Sequence, residues 1–156
     1  MIELTYPPMP RETFAPLWAF INAQAGRAGS FDFVLPQHAP LGAWAGSPVV
    51  DGAEQTGNTV QLKGFTPSQT EVAKAGDFVR FAGSYKTYQV TADASSDGSG
   101  NAEIVLNAPL VASPADEAVV STDRQMRCAL ADDNADVDLD TSLLYRFKVQ
   151  LLEVLY

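Results

Sequence analysis

Carboxylates dominate the residues of this sequence that could do chemistry, and two of their spacings invite a cation. Asp93, Ser95 and Asp97 stand at the first, third and fifth places of a calcium loop, with Gly98 at the tight turn. The closing position, where such a loop needs a bidentate Glu, is Ile104, and Glu103 comes one residue early. The flanks alternate like strands instead of helices, so the stretch reads as a polar hairpin loop. The run Asp132-Asp133-Asn134-Ala135-Asp136-Val137-Asp138-Leu139-Asp140 fails in the same way. It has no Gly at the turn, and Phe147 takes the closing position counted from Asp136. A solvated acidic loop is the reading there.

Nucleophilic chemistry finds less support. His38 is the only histidine and lies in a Pro-flanked loop, with no Gly-x-Ser-x-Gly context near it. Cys128 is the only cysteine, which excludes an internal disulfide and a multi-cysteine zinc site. It reads as a half-buried strand residue between Arg127 and Ala129. No Walker loop or dinucleotide glycine fingerprint occurs. A hydrolase built from dispersed carboxylates ranks last, because no pair is marked out by position. The expectation is a non-enzyme with no cofactor and no metal, and therefore no catalytic residue.

The formal net charge of -9 opposes a phosphate-binding surface, since nucleic-acid binders concentrate Lys and Arg. No apolar run approaches the roughly 20 residues that cross a bilayer, so no membrane partner is expected. No basic leader precedes Glu3.

These side chains must be positioned by strands. From Tyr145 to Leu151, apolar Tyr145, Phe147, Val149 and Leu151 alternate with Arg146, Lys148 and Gln150, the period of a strand with one apolar face. Ile2 to Tyr6 is a second alternating segment, stopped by Pro7-Pro8. Residues 10–25 read as the one helix, with Phe14, Leu17, Trp18 and Ile21 on one face and Gly26 as the stop. Pro16 fits only if that helix begins near Thr13; otherwise it kinks. Ser30 to Leu35 is the next strand. From Val49 to Thr122 short strands alternate with turn signals, among them a two-residue hairpin at Gly83-Ser84. Gln125 to Ala131 is a further strand before the final one.

The fold class is therefore mainly β with one N-terminal α-helix. An outer β-sheet layer comes from residues 1–40 and 124–156, and residues 41–123 form an inserted small β-barrel or sandwich module.

Particular residues carry a family resemblance. Tyr6-Pro7-Pro8-Met9-Pro10-Arg11-Glu12-Thr13-Phe14-Ala15-Pro16-Leu17-Trp18-Ala19-Phe20, continuing at Gly26 to Phe33, resembles the distal tail proteins of long-tailed bacteriophages. So do Ala75 to Phe81, Lys86 to Asp93, Gly98 to Ala102 and Pro109-Leu110. None of these stretches is a catalytic motif. Relatives of this kind carry an earlier strand before Tyr-Pro-Pro. The partner of Ile2 to Tyr6 is thus missing, borrowed from another subunit, or supplied by the C-terminal strand. No extra carbohydrate-binding insertion is present.

The resemblance implies a virion protein of the tail tip, assembled in the host cytoplasm, that closes a ring of six copies between the tail tube and the tip hub or baseplate. Its partners would be itself, the tail tube protein and the hub protein, with DNA as passing, unbound cargo. The expected oligomer interface uses Ile2, Leu4, Tyr6, Tyr145, Phe147, Val149 and Leu151. The rival from another class is a free-standing β-barrel module that binds a carbohydrate or peptide on Trp44, Tyr85 or Tyr88.

Overall fold

The computed structural model describes residues 1–36, 39–123, 125–133 and 137–155. In chain order the elements are β1 (Ile2–Thr5), α1 (Arg11–Ala23), a short 3-10 turn (Gly26–Ala28) and β2 (Phe31–Val34). Then come β3 (Gly46–Val50), β4 (Thr59–Phe65), β5 (Phe78–Phe81), β6 (Thr87–Gln89), β7 (Ala102–Val105) and β8 (Val120–Ser121). The chain closes with β9 (Gln125–Leu130), β10 (Val137–Leu139) and β11 (Tyr145–Glu153). The protein is mainly β, with open sheets and one α-helix.

The chain divides into two compact units. One comprises Met1–Phe33 with Arg127–Val154 and is organised by β11. Its alternation holds: Phe147, Val149 and Leu151 are buried, whereas Arg146 and Lys148 are exposed. The partner of the N-terminal segment is this C-terminal strand. Ile2, Glu3, Leu4 and Thr5 pair antiparallel with Leu151, Gln150, Val149 and Lys148. On its other edge β11 takes β9 at Leu151 to Glu153 and β10 at Tyr145 to Phe147. The sheet order is β1-β11-β9-β2, with β10 beside β11. The expected acidic loop is thus in part a strand. Val137, Asp138 and Leu139 pair antiparallel with Phe147, Arg146 and Tyr145, which sets Asp138 opposite Arg146. Asn134, Ala135 and Asp136 lie outside the described residues.

Helix α1 covers the apolar side of β11. Phe14 stacks on Tyr145 with ring centroids 4.4 Å apart and meets Phe147 edge-on at 5.6 Å. Trp18 meets Phe147 edge-on at 6.2 Å, and Tyr6 stacks on that ring at 4.3 Å. Further along the helix it is Phe20 that reaches Phe31, at 5.2 Å. Each such ring taken from water contributes about 1.5–3 kcal/mol. The helix begins at Arg11, with Pro10 as N-cap, so Pro16 is an interior residue and not a first-turn one. Its ring withholds a hydrogen bond from the Glu12 carbonyl, and both residues lie on the solvent side, where water can replace the bond. The helix also stops earlier than the glycine suggests. Ala25 already adopts the left-handed conformation (φ 51°), and Gly26 opens the 3-10 turn.

The other unit is built on Val34–Met126 and holds two three-stranded antiparallel sheets, β3-β4-β7 and β6-β5-β8. Their inward residues share one core, including Val50, Val60, Leu62, Val79, Phe81, Tyr88 and Ile104. Isolated bridges join Val49 to Val119 and Val90 to Leu106. Gly46 allows the bulged start of β3, because a Cβ there would run into the Gly64 carbonyl oxygen. The expected two-residue turn at Gly83-Ser84 is longer. Arg80 pairs with Thr87, so Phe81 to Lys86 all lie between the paired positions, with the Ser84 amide bonded to the Phe81 carbonyl.

Candidate functional site

Among the described residues β1 supplies the clearest unpaired sheet edge. The Tyr6 amide donates to the Phe147 carbonyl at 3.1 Å, which fixes the phase of the ladder. In an antiparallel pair the bonded residues alternate, so Ile2, Leu4 and Tyr6 bond to β11 while the amides and carbonyls of Glu3 and Thr5 point away. Among the described residues no strand covers that side of β1. A row of unpaired backbone groups is a template for another strand. The sheet ends in a second edge at β2.

The seven residues singled out in the sequence fall together on this pair of strands. Phe147, Val149 and Leu151 are buried in their own unit, and Tyr6 and Tyr145 stack on its aromatic cluster. Ile2 and Leu4 are half-buried on the same face. Their side chains fix the position and register of β1, and the groups left over for a partner are backbone ones.

The opposite face of this sheet is polar. Lys148 Nζ lies 3.8 Å from Glu3, and Gln150 Nε2 donates to Glu3 at 3.2 Å. An open groove of about 580 Å³ runs there past Glu3, Asp132, Asp138, Arg146 and Lys148. Exposed pairs of this type contribute little individually.

In the second unit the most constrained group is Asp77, a buried carboxylate that the sequence did not mark. It accepts from the amides of Leu41 (2.6 Å), Gly42 (3.0 Å) and Lys74 (3.0 Å) and from the Trp44 indole (2.8 Å). Burial pushes its pKa up, but these four donors together outweigh burial and hold it below the usual carboxylate value. The only sequence signal was Asp next to Gly76 at a strand entrance. The donors stand more than thirty residues away, apart from Lys74.

The other candidates are occupied by structural work. Trp44, expected as a ligand platform, is tied to Asp77 and leans on Phe65 at 5.9 Å. Tyr88 is buried, and its hydroxyl accepts from the Val111 amide. Of the three aromatics only Tyr85 is exposed. Asp93 accepts from the Ala75 amide and Ser95 from the Glu71 amide. Asp97 accepts from the Ser99 and Asn101 amides, which lowers its pKa. Cys128 is fully buried instead of half-buried, and loss of solvent pushes its thiol up to about 11. His38 lies outside the described residues.

A comparison with curated proteins finds no match. The family model described as "Distal tail protein pb9, B domain" matches residues 37–121, the stretch that carries both three-stranded sheets. That match spans more than half of the chain, and the chain belongs to the distal tail proteins of bacteriophages, structural components of the phage tail.

Proposed function

We propose that this chain closes a ring, six copies around, that joins the tail tube to the hub or baseplate at the tip of the tail. The free ladder edge of β1 carries the reading. A ring needs one heterologous contact repeated until it closes. Strand addition offers such a contact, because β1 and β2 are the opposite ends of one sheet. In this arrangement Glu3 and Thr5 of one copy hydrogen-bond to β2 of the next. Ile2, Leu4, Tyr6, Tyr145, Phe147, Val149 and Leu151 hold the contact strand in register.

Residues 1–40 and 124–156 would form the ring layer, and 41–123 the inserted module. The module is proposed to be a small closed barrel in the order β3-β4-β7-β6-β5-β8. The Val49–Val119 and Val90–Leu106 bridges support this closure, as does the single core. The acidic balance suits a ring through which DNA passes unbound. The ring would assemble in the host cytoplasm before joining the virion.

Thr5→Pro tests the contact. The Thr5 amide is not used within the β1–β11 ladder, and proline is tolerated on an edge strand whose N–H faces outward. The expected result is a variant that melts close to the parent yet stays monomeric by native mass spectrometry, where the parent gives a six-copy ring. A parent that is monomeric both alone and in its native particle ends the ring reading; a Thr5→Pro variant that still closes the ring moves the contact away from β1.

A further inference from the structure

The chain builds one kind of tight loop twice, and the difference between the two copies is informative. In Asp97 to Asn101 the Asp97 amide donates to the Asn101 carbonyl, and the Gly100 amide donates back to Asp97. The Asp97 carboxylate accepts from the amide two residues on, at Ser99. Asp140 to Leu144 repeats this bond for bond. The Asp140 amide donates to Leu144, the Leu143 amide donates to Asp140, and the Asp140 carboxylate accepts from the Ser142 amide at 3.0 Å. Both loops need a left-handed residue at the fourth place, the position that favours glycine in three-residue hairpin loops. The first loop has Gly100 there, at φ 82°. The second, which joins β10 to β11, has Leu143 at φ 59°.

Leu143 is therefore costly twice in the isolated chain. Its backbone is in a region where a Cβ is disfavoured, and its apolar side chain is 72% exposed. Trp44 is the other bulky apolar residue at positive φ among the described residues, and Asp77 and Phe65 hold it in place. Among the described residues Leu143 has no comparable anchorage. Across the hairpin Leu139 is 56% exposed, and with Pro8 and Leu144 it borders a notch of about 210 Å³. Asp138 and Asp140 rim the apolar tip, with Arg146 as the one cation among the described residues at the notch.

We infer that this hairpin tip is a docking knob, with Leu143 at its centre, for a different tail protein that presents an apolar recess ringed by Lys and Arg. The charge rim selects against a second copy. This chain carries nineteen acidic and ten basic residues, and Lys63, Lys74, Arg127 and Lys148 are already in ion pairs with its own carboxylates. Two acidic tips repel, whereas an acidic tip and a basic recess attract. The inference rests on the reading of this chain as a tail assembly protein and uses a surface separate from the β1 edge.

The test compares full-length Leu143→Gly and Leu143→Met, each supplied as the only copy during phage growth. Leu143→Gly removes the knob and relaxes the loop, so the purified variant should melt no lower than the parent and keep its oligomeric state. Its incorporation into tails, read by immunoblot of purified particles, should fall about tenfold or more, as for loss of an apolar anchor. Leu143→Met keeps apolar bulk and should incorporate normally. Leu143→Glu should be less harmful than Leu143→Lys. Normal incorporation of Leu143→Gly overturns the proposal. Loss of the purified protein's oligomeric state in Leu143→Gly also overturns it, because the occupant would then be another copy. If parent and variants are all monomeric, the ring reading fails, while incorporation still decides the role of the tip.

Discussion

Asp77 shows how a single residue can organise a module of short strands. The segment Leu41 to Trp44 lies outside the strands, its Ala43 and Trp44 amides donate to the carbonyls of Glu71 and Val72, and Trp44 sits at positive φ (43°). One carboxylate collects the amides of Leu41 and Gly42 and the Trp44 indole, and so holds the strap at the entrance to β5. A buried charge is tolerable there because all its bonds are donated to it. Replacing Asp77 by Ala would orphan those donors and should cost about 3 kcal/mol in urea unfolding at neutral pH. The pH dependence follows from the lowered pKa. The stabilisation is complete above the unfolded value of about 4 and is lost as pH falls through the folded one. The difference between parent and Asp77→Asn should therefore shrink steadily in that acid window; a gap that stays constant down to pH 2 would mean that the charge is not what the strap needs. None of this was legible in the sequence, since an Asp beside a Gly looks like ordinary turn chemistry. Leu143 was equally silent, because a leucine in a strand-like run gives no sign of a left-handed backbone. Both cases depend on backbone geometry that only the tertiary structure supplies.

At the scale of elements, period-two patterning was the reliable signal and composition the misleading one. Strand β11 alternates cleanly over seven residues, and its burial follows that alternation. The same rule missed β10, a three-residue strand concealed among aspartates that pairs with β11 at Tyr145 to Phe147. Helix α1 was visible through Phe14, Trp18 and Ile21, and its start near residue 10 holds, with Pro10 as the cap; Pro16 is an interior residue accommodated on the wet side. The interface candidates, all on β1 and β11, were legible as strand residues. That the backbone of Glu3 and Thr5 remains for a partner required the register. The aromatic cluster allows an ordered prediction. Phe14 is buried against Trp18, Tyr145 and Phe147, whereas Trp18 is half-buried. Phe14→Ala should then cost about 4 kcal/mol and Trp18→Ala about 2–3 kcal/mol, despite the larger ring of Trp. Chemical denaturation of the two variants checks the order, and a Trp18→Ala variant as stable as the parent would show that the helix does not rest on β11.

At the scale of the whole molecule the charge and the proposed contact pull in opposite directions. Each copy carries a formal -9, so neighbouring copies in the proposed ring would repel one another. A β1–β2 ladder between copies is made of neutral backbone hydrogen bonds, which salt does not weaken as it weakens ion pairs. Repulsion, in contrast, reaches about 30 Å at 0.01 M salt and about 8 Å at physiological ionic strength. The ring should accordingly loosen at low salt and tighten toward about 0.15 M, a trend opposite to that of assemblies held by charge pairs. Sedimentation of the purified protein across that salt range reads it directly. A ring that strengthens as salt is removed would place the contact on the polar sheet face, where Glu3 and Arg146 could meet charges of a neighbour, and not on the free edge of β1. The same repulsion would act on a DNA strand passing through the proposed ring. A subunit surface that avoids its own kind at low salt is also one to which a polyphosphate does not adhere, so oligonucleotides added to the ring should not co-sediment with it even at about 0.01 M salt.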